Sequence, residues 1–211
     1  MNDIVEILVA FNQGDSLTQK NAKIIEDLER ANIPSDWNKH GFMTGDLNAW
    51  IDDFCERIEH INNALNDGDC GRHGMNLGLL KSPESLLAAS KQTCANINKW
   101  PVERLKMKVS VGSKVIQSQS DIVVTNIMTV CAEWGNSAKS FVVSDDVTGK
   151  LPPMLISWTL DEPTDGILVS CFMTISKKRQ VFDCFMPVSN EKSTLWWTVR
   201  NPALVLQPKA L

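Results

Sequence analysis

Residues 139–191 constrain the fold more than any other part of the sequence. They read K-S-F-V-V-S-D-D-V-T-G-K-L-P-P-M-L-I-S-W, then a short polar break, then D-G-I-L-V-S-C-F-M-T-I-S-K-K-R-Q-V-F-D-C-F-M-P-V-S-N-E. Runs of β-branched and aromatic residues alternate with turn formers, a pattern of short strands with close connections. An apolar strand leads into an acidic Thr-Gly turn, and a second strand follows. A long hairpin then turns at Lys177-Lys178-Arg179.

The strand pattern begins after Pro101. Leu105, Met107 and Val109 alternate with Lys106, Lys108 and Ser110, a period of two. Residues 123–134, 141–145, 154–160, 167–176 and 180–188 are the other predicted strands. Gly135-Asn136-Ser137, Thr148-Gly149 and Lys177-Lys178-Arg179 supply the turns. Short strands at this spacing predict a small barrel or sandwich.

Residues 1–100 have a different period. Ile4, Val5, Leu8 and Phe11 form a short stripe ending at Gly14, although residues 7–11 fit a strand equally well. Asp15 or Ser16 is the expected cap of the next helix, which carries Leu17, Ile24, Ile25 and Leu28 and ends before Pro34. The clearest helix follows Asp46. Leu47, Trp50, Ile51, Phe54, Ile58, Ile61 and Leu65 recur at three- and four-residue steps along one side. Residues 66–81 are glycine-rich and predict a loop. Ser82-Pro83 opens a further helix with Leu86, Leu87, Cys94 and Ile97. Trp100-Pro101 closes it, so the expected domains are 1–100 and 101–211. Near the end, Leu195, Trp196 and Val199 have helical spacing, stopped by Asn201-Pro202.

Composition excludes several classes. The protein has 211 residues, 43% of them hydrophobic and 22% charged, which argues against wholesale disorder. It has no apolar run of about 18 residues, so no membrane helix is expected. The N-terminus lacks the basic segment of a signal peptide. Six cysteines without a secretory context are expected to be free thiols, with Cys131, Cys171 and Cys184 as small hydrophobes in strands. Residues 1–100 hold 9 Lys+Arg against 15 Asp+Glu, a net of −6, and residues 101–211 hold 12 against 10, a net of +2. The mildly basic second half permits nucleic-acid contact without requiring it.

Four motifs in order resemble the OB-fold of the replication protein A middle subunit and the CST Stn subunit. Asp145-Asp146-Val147-Thr148-Gly149 is similar to that family's turn between its second and third strands. Trp158 stands where the third strand ends in an aromatic. Gly166 resembles the glycine opening the fourth strand. Phe185-Met186-Pro187-Val188-Ser189-Asn190-Glu191 resembles the closing segment before a C-terminal helix. Val147 and Cys171 depart from the family's glycines. The resemblance covers roughly residues 105–200. It implies an α+β protein with a helical N-terminal region, a five-stranded OB-fold β-barrel and a C-terminal helix. A compact protein of this kind is similar to an OB-fold subunit of the insect telomere cap.

Under that resemblance, bases stack on aromatic faces and cations meet phosphates. The nucleic-acid candidates are Trp134, Lys139, Phe141, Trp158, Lys177, Lys178 and Arg179. Phe141 and Trp158 could equally point into the barrel, and the basic tip could be only a solvated turn. Leu195, Trp196, Trp197 and Val199 are the partner-binding candidates. Adjacent Trp residues cannot share one helix face, so one is expected to anchor to the barrel and the other to a partner.

Catalytic alternatives are thin. Gly14-Asp15-Ser16-Leu17 looks like the nucleophile block of GDSL esterases, but that chemistry needs a His base. His40, His60 and His73 are the only histidines, and none follows an Asp at that family's spacing. A helix cap is the better reading. Cys70 and His73 have a C-x-x-H spacing, but Cys55 and His60 lie on different helix faces, so no second zinc pair is supplied. Asp145 and Asp146 read as turn formers. No phosphate-cradling G-x-x-x-x-G-K-[ST] loop is present.

The expectation is therefore a non-catalytic, cofactor-free subunit of a single-stranded DNA-binding, telomere-protecting complex in the nucleus. Its partners would be single-stranded DNA and other OB-fold or telomere-complex subunits. The alternative is a barrel that binds protein only; a GDSL-like hydrolase ranks third.

Overall fold

The structure, a computed structural model, describes residues 2–38, 46–66, 74–112, 116–143, 148–162, 166–173 and 179–207. The protein is α+β and divides into two compact units, residues 1–59 and 60–211.

The first unit is helical. α1 spans Asn2–Gln13, α2 Gln19–Glu29 and α3 Ser35–Asn38; α4, Leu47–Asn66, begins here and runs into the second unit. Residues 7–11 are thus helix, and Gly14 ends α1 at φ +70, a conformation glycine adopts freely. Thr18, not Asp15 or Ser16, caps α2: its hydroxyl accepts the Asn21 amide at 3.2 Å. Asp46 caps α4, its carboxylate accepting the Ala49 amide at 2.8 Å. Trp37 stacks on Trp50 and Trp50 on Phe54, with centroids 5.5 and 5.4 Å apart.

The described residues of the second unit contain the end of α4, helix α5 (Pro83–Asn98), helix α6 (Thr194–Arg200) and ten strands. These are β1 Lys106–Val111, β2 Ile122–Val124, β3 Ile127–Val130, β4 Glu133–Gly135, β5 Ser140–Val142, β6 Thr148–Leu151, β7 Met154–Thr159, β8 Ile167–Phe172, β9 Gln180–Met186 and β10 Ala203–Leu206. Among the described residues they form three sheets, ordered β1-β7-β2, β6-β3-β10-β8-β9 and β4-β5. None of these closes into a five-stranded barrel, which corrects the expected architecture. Among the described residues, every strand pair is antiparallel except β8 with β10.

The departures from expectation have local causes. Residues 123–134 do not form one strand. Asn126 and Cys131 sit at φ +56 and +61 and turn the backbone twice, giving β2, β3 and β4. Thr148-Gly149 is not a turn but part of β6, with Gly149 opposite Thr129 of β3. A Cβ at Gly149 would lie 2.9 Å from the Thr129 hydroxyl, so the missing side chain permits that approach. β10 has no counterpart among the predicted strands. It follows the left-handed Asn201 and Pro202, lies between β3 and β8, and is buried throughout.

Residues 74–80 are core rather than loop. Met75 donates its amide to the Val123 carbonyl at 2.6 Å, and its carbonyl accepts the Thr125 amide at 3.0 Å. Leu77 and Val124 are fully buried in the main core, with Phe141, Met154, Ile156, Met186, Trp197 and Leu204. α5 starts at Pro83 as its cap-then-proline order predicts, although Ser82 makes no side-chain capping bond. Leu87 joins the same core.

Gly166 precedes β8 at φ +109, and a Cβ there would run into the Met186 carbonyl. Gly166→Ala therefore combines backbone strain with a main-chain clash. It is expected to cost roughly 2 kcal/mol or more in urea unfolding. Gly112→Ala has an open neighbourhood at φ +79 and should cost clearly less.

Candidate functional site

Of the residues expected to meet nucleic acid, the structure describes Trp134, Lys139, Phe141, Trp158 and Arg179, and buries two of them. Phe141 is completely buried, and Trp134 packs edge-on against it with centroids 6.0 Å apart. Both rings are core. Trp158 is half-buried beside the Cys94–Ala95–Leu105 cluster. Its indole N–H donates to the Ser90 hydroxyl at 2.6 Å, and that hydroxyl donates to the Ser120 carbonyl at 2.6 Å. Lys91 lies 5.7 Å from the Trp158 ring centre. Lys139 is exposed in the β4–β5 turn at φ +50. Lys177 and Lys178 lie outside the described residues, as do Asp145, Asp146, Cys70 and His73.

Arg179 is engaged within the protein. Its guanidinium donates to the Glu84 carboxylate from Nε at 3.1 Å and from Nη2 at 2.9 Å, and Nη2 also reaches the Lys81 carbonyl at 3.0 Å. This fork ties the foot of β9 to the start of α5. Desolvation pushes the Glu84 carboxyl up, but bonds from Arg179 and the local backbone outweigh it and hold it below the usual range. The pair is largely exposed, so its contribution to stability is small.

The C-terminal candidates sit on α6, whose first turn is capped by the Ser193 hydroxyl accepting the Trp196 amide at 3.2 Å. Trp197 is fully buried, and its indole N–H meets the Ser189 carbonyl at 3.4 Å. Trp196 stands nearly perpendicular to it, with centroids 5.0 Å apart. Arg200 and Lys192 lie 5.2 and 5.7 Å from the Trp196 ring centre. Leu195 and Val199 point to solvent, 73% and 78% exposed.

Ser16 is an exposed residue of the connection before α2. Cys94, Cys171 and Cys184 are buried free thiols, Cys131 is half-buried between β3 and β4, and Cys55 is exposed. Desolvation drives the Cys171 thiol well up, with the nearby Cys184 and Asp183 adding to it. Desolvation and Asp183 push Cys184 to about 12. Such thiols are poor nucleophiles at neutral pH. In the native protein, Cys55 is expected to react with iodoacetamide as an open thiol, while Cys171 and Cys184 stay protected until unfolding. Mass spectrometry of the labelled peptides reads this directly; native labelling of Cys184 at the Cys55 rate would contradict the packing. Above about pH 9 the unfolded thiols ionise while the folded ones do not, so stability falls as pH rises from there toward 12.

Among the described residues, no three His, Cys, Asp or Glu side chains are grouped to hold a metal. No described helix is long and apolar enough to cross a membrane. Among the described residues, several exposed apolar side chains lie on α1 and α4. Val5, Leu8 and Phe11 of α1 are more than half exposed, and Ile51, Phe54, Ile58, Ile61 and Leu65 form an open row on α4. The periodicity of both rows is legible in the sequence; their exposure is not.

Comparison with known proteins gives a different relationship from the one the four motifs suggested. The family model for the C-terminal domain of the dynein heavy chain matches residues 2–206. A cytoplasmic dynein heavy chain of Paramecium tetraurelia is 23% identical over 184 residues, 84% of the present sequence and 4% of that protein. The corresponding protein of Dictyostelium discoideum is 19% identical over 211 residues, covering 96% and 4%. That of Drosophila melanogaster is 22% identical over 166 residues, covering 74% and 4%. The 211 residues thus span about one twenty-fifth of the length of these relatives. A match along nearly the whole sequence outweighs short turn motifs that any strand-rich protein can carry. It overturns the replication protein A and CST resemblance, and with it the single-stranded DNA, telomere-subunit and nuclear readings. The protein belongs to the family defined by the C-terminal domain of the dynein heavy chain.

Proposed function

We propose that this protein serves as the C-terminal module of a cytoplasmic dynein-type heavy chain, contributing packing and binding surface and no chemistry of its own. The match over residues 2–206 carries this reading. The use of the polar groups supports it. Arg179 and Glu84 clip β9 to α5, Asp53 and Arg57 pair within α4, and the Trp158 indole is spent on Ser90. The cysteines in the sheet are buried with raised pKa values, the reverse of an activated nucleophile.

A chimera tests the module. Residues 2–206 replace the matching segment of the Dictyostelium heavy chain, and the chimera is compared with a heavy chain lacking that segment. Restored motor function is expected. A chimera that folds but performs no better than the deletion overturns the reading. The absence of chemistry is tested with the purified 211-residue protein, which should hydrolyse neither ATP nor a p-nitrophenyl ester above background. Ester hydrolysis lost in Ser16→Ala would make it a hydrolase instead.

A further inference from the structure

We propose that the outer face of α6 is a docking site for an acidic amphipathic helix presented by another polypeptide. Two rows run side by side along it. Leu195 and Val199 form one, four residues apart and 73% and 78% exposed. Lys192, Trp196 and Arg200 form the other at the same four-residue step, with Lys192 just ahead of the Ser193 cap. Side chains spaced by four make a ridge, and the groove between two such ridges accepts the ridge of a second helix.

The direction of this face follows from the residue that α6 buries. At about 100° per residue, Leu195, Val199, Trp196 and Arg200 span about 140° of the helix circumference, and the centre of that arc lies about 130° from Trp197. Trp197 is fully buried, so the arc looks away from the core. Trp196 is half-buried and packs against the main core, which makes it a fixed wall of the groove. All of these residues belong to the second unit.

Charge selects the occupant, because the cations stand on this face itself. The Lys192 ammonium lies 5.7 Å and the Arg200 guanidinium 5.2 Å from the Trp196 ring centre. Arg200 Nε also donates to the Cys131 carbonyl at 2.7 Å, which fixes the guanidinium beside the ring. Glu191 is exposed, but it is out of step with both rows. Across residues 60–211 the sequence holds 16 Lys+Arg and 13 Asp+Glu, a net of +3, so the unit's own field does not oppose an acidic partner. A second copy would set Lys192 and Arg200 against the same two cations, a like-charge juxtaposition that opposes pairing. An anionic bilayer gains little here. Leu195 and Val199 together carry fewer carbons than one acyl chain, itself a marginal anchor, and the protein has a net charge of −4. A helix with carboxylates beside its apolar anchors matches both rows.

The test uses the 211-residue protein and synthetic helical peptides of about three heptads. One peptide carries a leucine row with glutamate flanks; its counterpart carries lysine flanks. Fluorescence anisotropy should show the glutamate peptide binding about tenfold or more tighter at low salt, with the gap closing as salt rises. Val199→Glu should weaken its binding about tenfold or more, and so should the milder Leu195→Ala with Val199→Ala. Lys192→Glu should cut the preference for glutamate flanks about fivefold. These are exposed positions, and urea unfolding checks that the variants stay folded. Ile97→Glu, at an exposed apolar position of α5, should change nothing. Equal binding of both peptides, no binding of either, or affinity unmoved by the α6 changes would each overturn the proposal. So would binding to phosphatidylserine vesicles, or a concentration-dependent dimer in sedimentation velocity, if Val199→Glu abolished it; the occupant would then be a bilayer or a second copy.

Discussion

Trp197→Ala should cost the second unit about 3–5 kcal/mol in urea unfolding, while Trp196→Ala costs clearly less. The two residues are adjacent on one short helix, so position in the sequence cannot separate them. Burial does. Trp197 is fully buried among Phe141, Met186 and Leu204, whereas Trp196 keeps one side in solvent beneath Arg200 and Lys192. Removing the Trp197 indole opens a ring-sized void at the junction of α6 with the sheet, and close-packed surroundings refill such voids only in part. It also leaves the Ser189 carbonyl without its donor. Leu195→Ala and Val199→Ala, at exposed positions, should stay within about 0.5 kcal/mol of the parent. A larger loss for Trp196→Ala than for Trp197→Ala would mean that α6 packs with the other face inward.

That pair marks how far the sequence reaches. Two adjacent Trp must point in different directions on a helix, and this follows from helical geometry alone. Which one turns inward depends on β8 and β10, and β10 lies outside the predicted strands. Its four residues, Ala203-Leu204-Val205-Leu206, follow Asn-Pro and have no alternation, because both faces of a central strand are buried. A continuous apolar run after a helix stop is the available signal. The splitting of residues 123–134 is less accessible. It rests on positive φ at Asn126 and Cys131, and a cysteine there gives no local hint. Most of the helices are legible: α4 and α5 begin where Asp46 and Ser82-Pro83 indicate. The OB-fold reading fails for a related reason. Asp145-Asp146-Val147-Thr148-Gly149 reads locally as a turn, yet Thr148 and Gly149 pair with Val130 and Thr129 in a ladder that only tertiary contact creates. Phe141 and Trp134 illustrate the same limit, since an aromatic beside a turn looks alike in sequence whether it stacks on a base or fills a core.

Asp53→Ala should be among the most damaging single changes in the protein, at about 3–5 kcal/mol, even though it removes a polar side chain from a helix with a largely solvated surface. Asp53 and Arg57 are a fork one turn apart on α4, with Nε to Oδ2 at 2.7 Å and Nη2 to Oδ1 at 3.0 Å. Their side chains are 4% and 9% exposed, so water does not compensate a lost partner. An exposed pair with this spacing contributes only about 0.3–0.5 kcal/mol, as Glu26 and Arg30 at the C-terminal end of α2 should. The difference lies in desolvation: deleting the carboxylate takes a two-point partner from a buried guanidinium, where water does not replace it. The double change Asp53→Leu with Arg57→Met removes both charges while keeping volume, and should recover most of the loss. Hydrogen exchange of the α4 amides measures this locally, with protection falling sharply in Asp53→Ala and returning in the double variant. If the double variant is as unprotected as the single one, apolar packing cannot replace the pair, and Asp53 and Arg57 are held there by a polar surrounding that a neutral side chain does not satisfy.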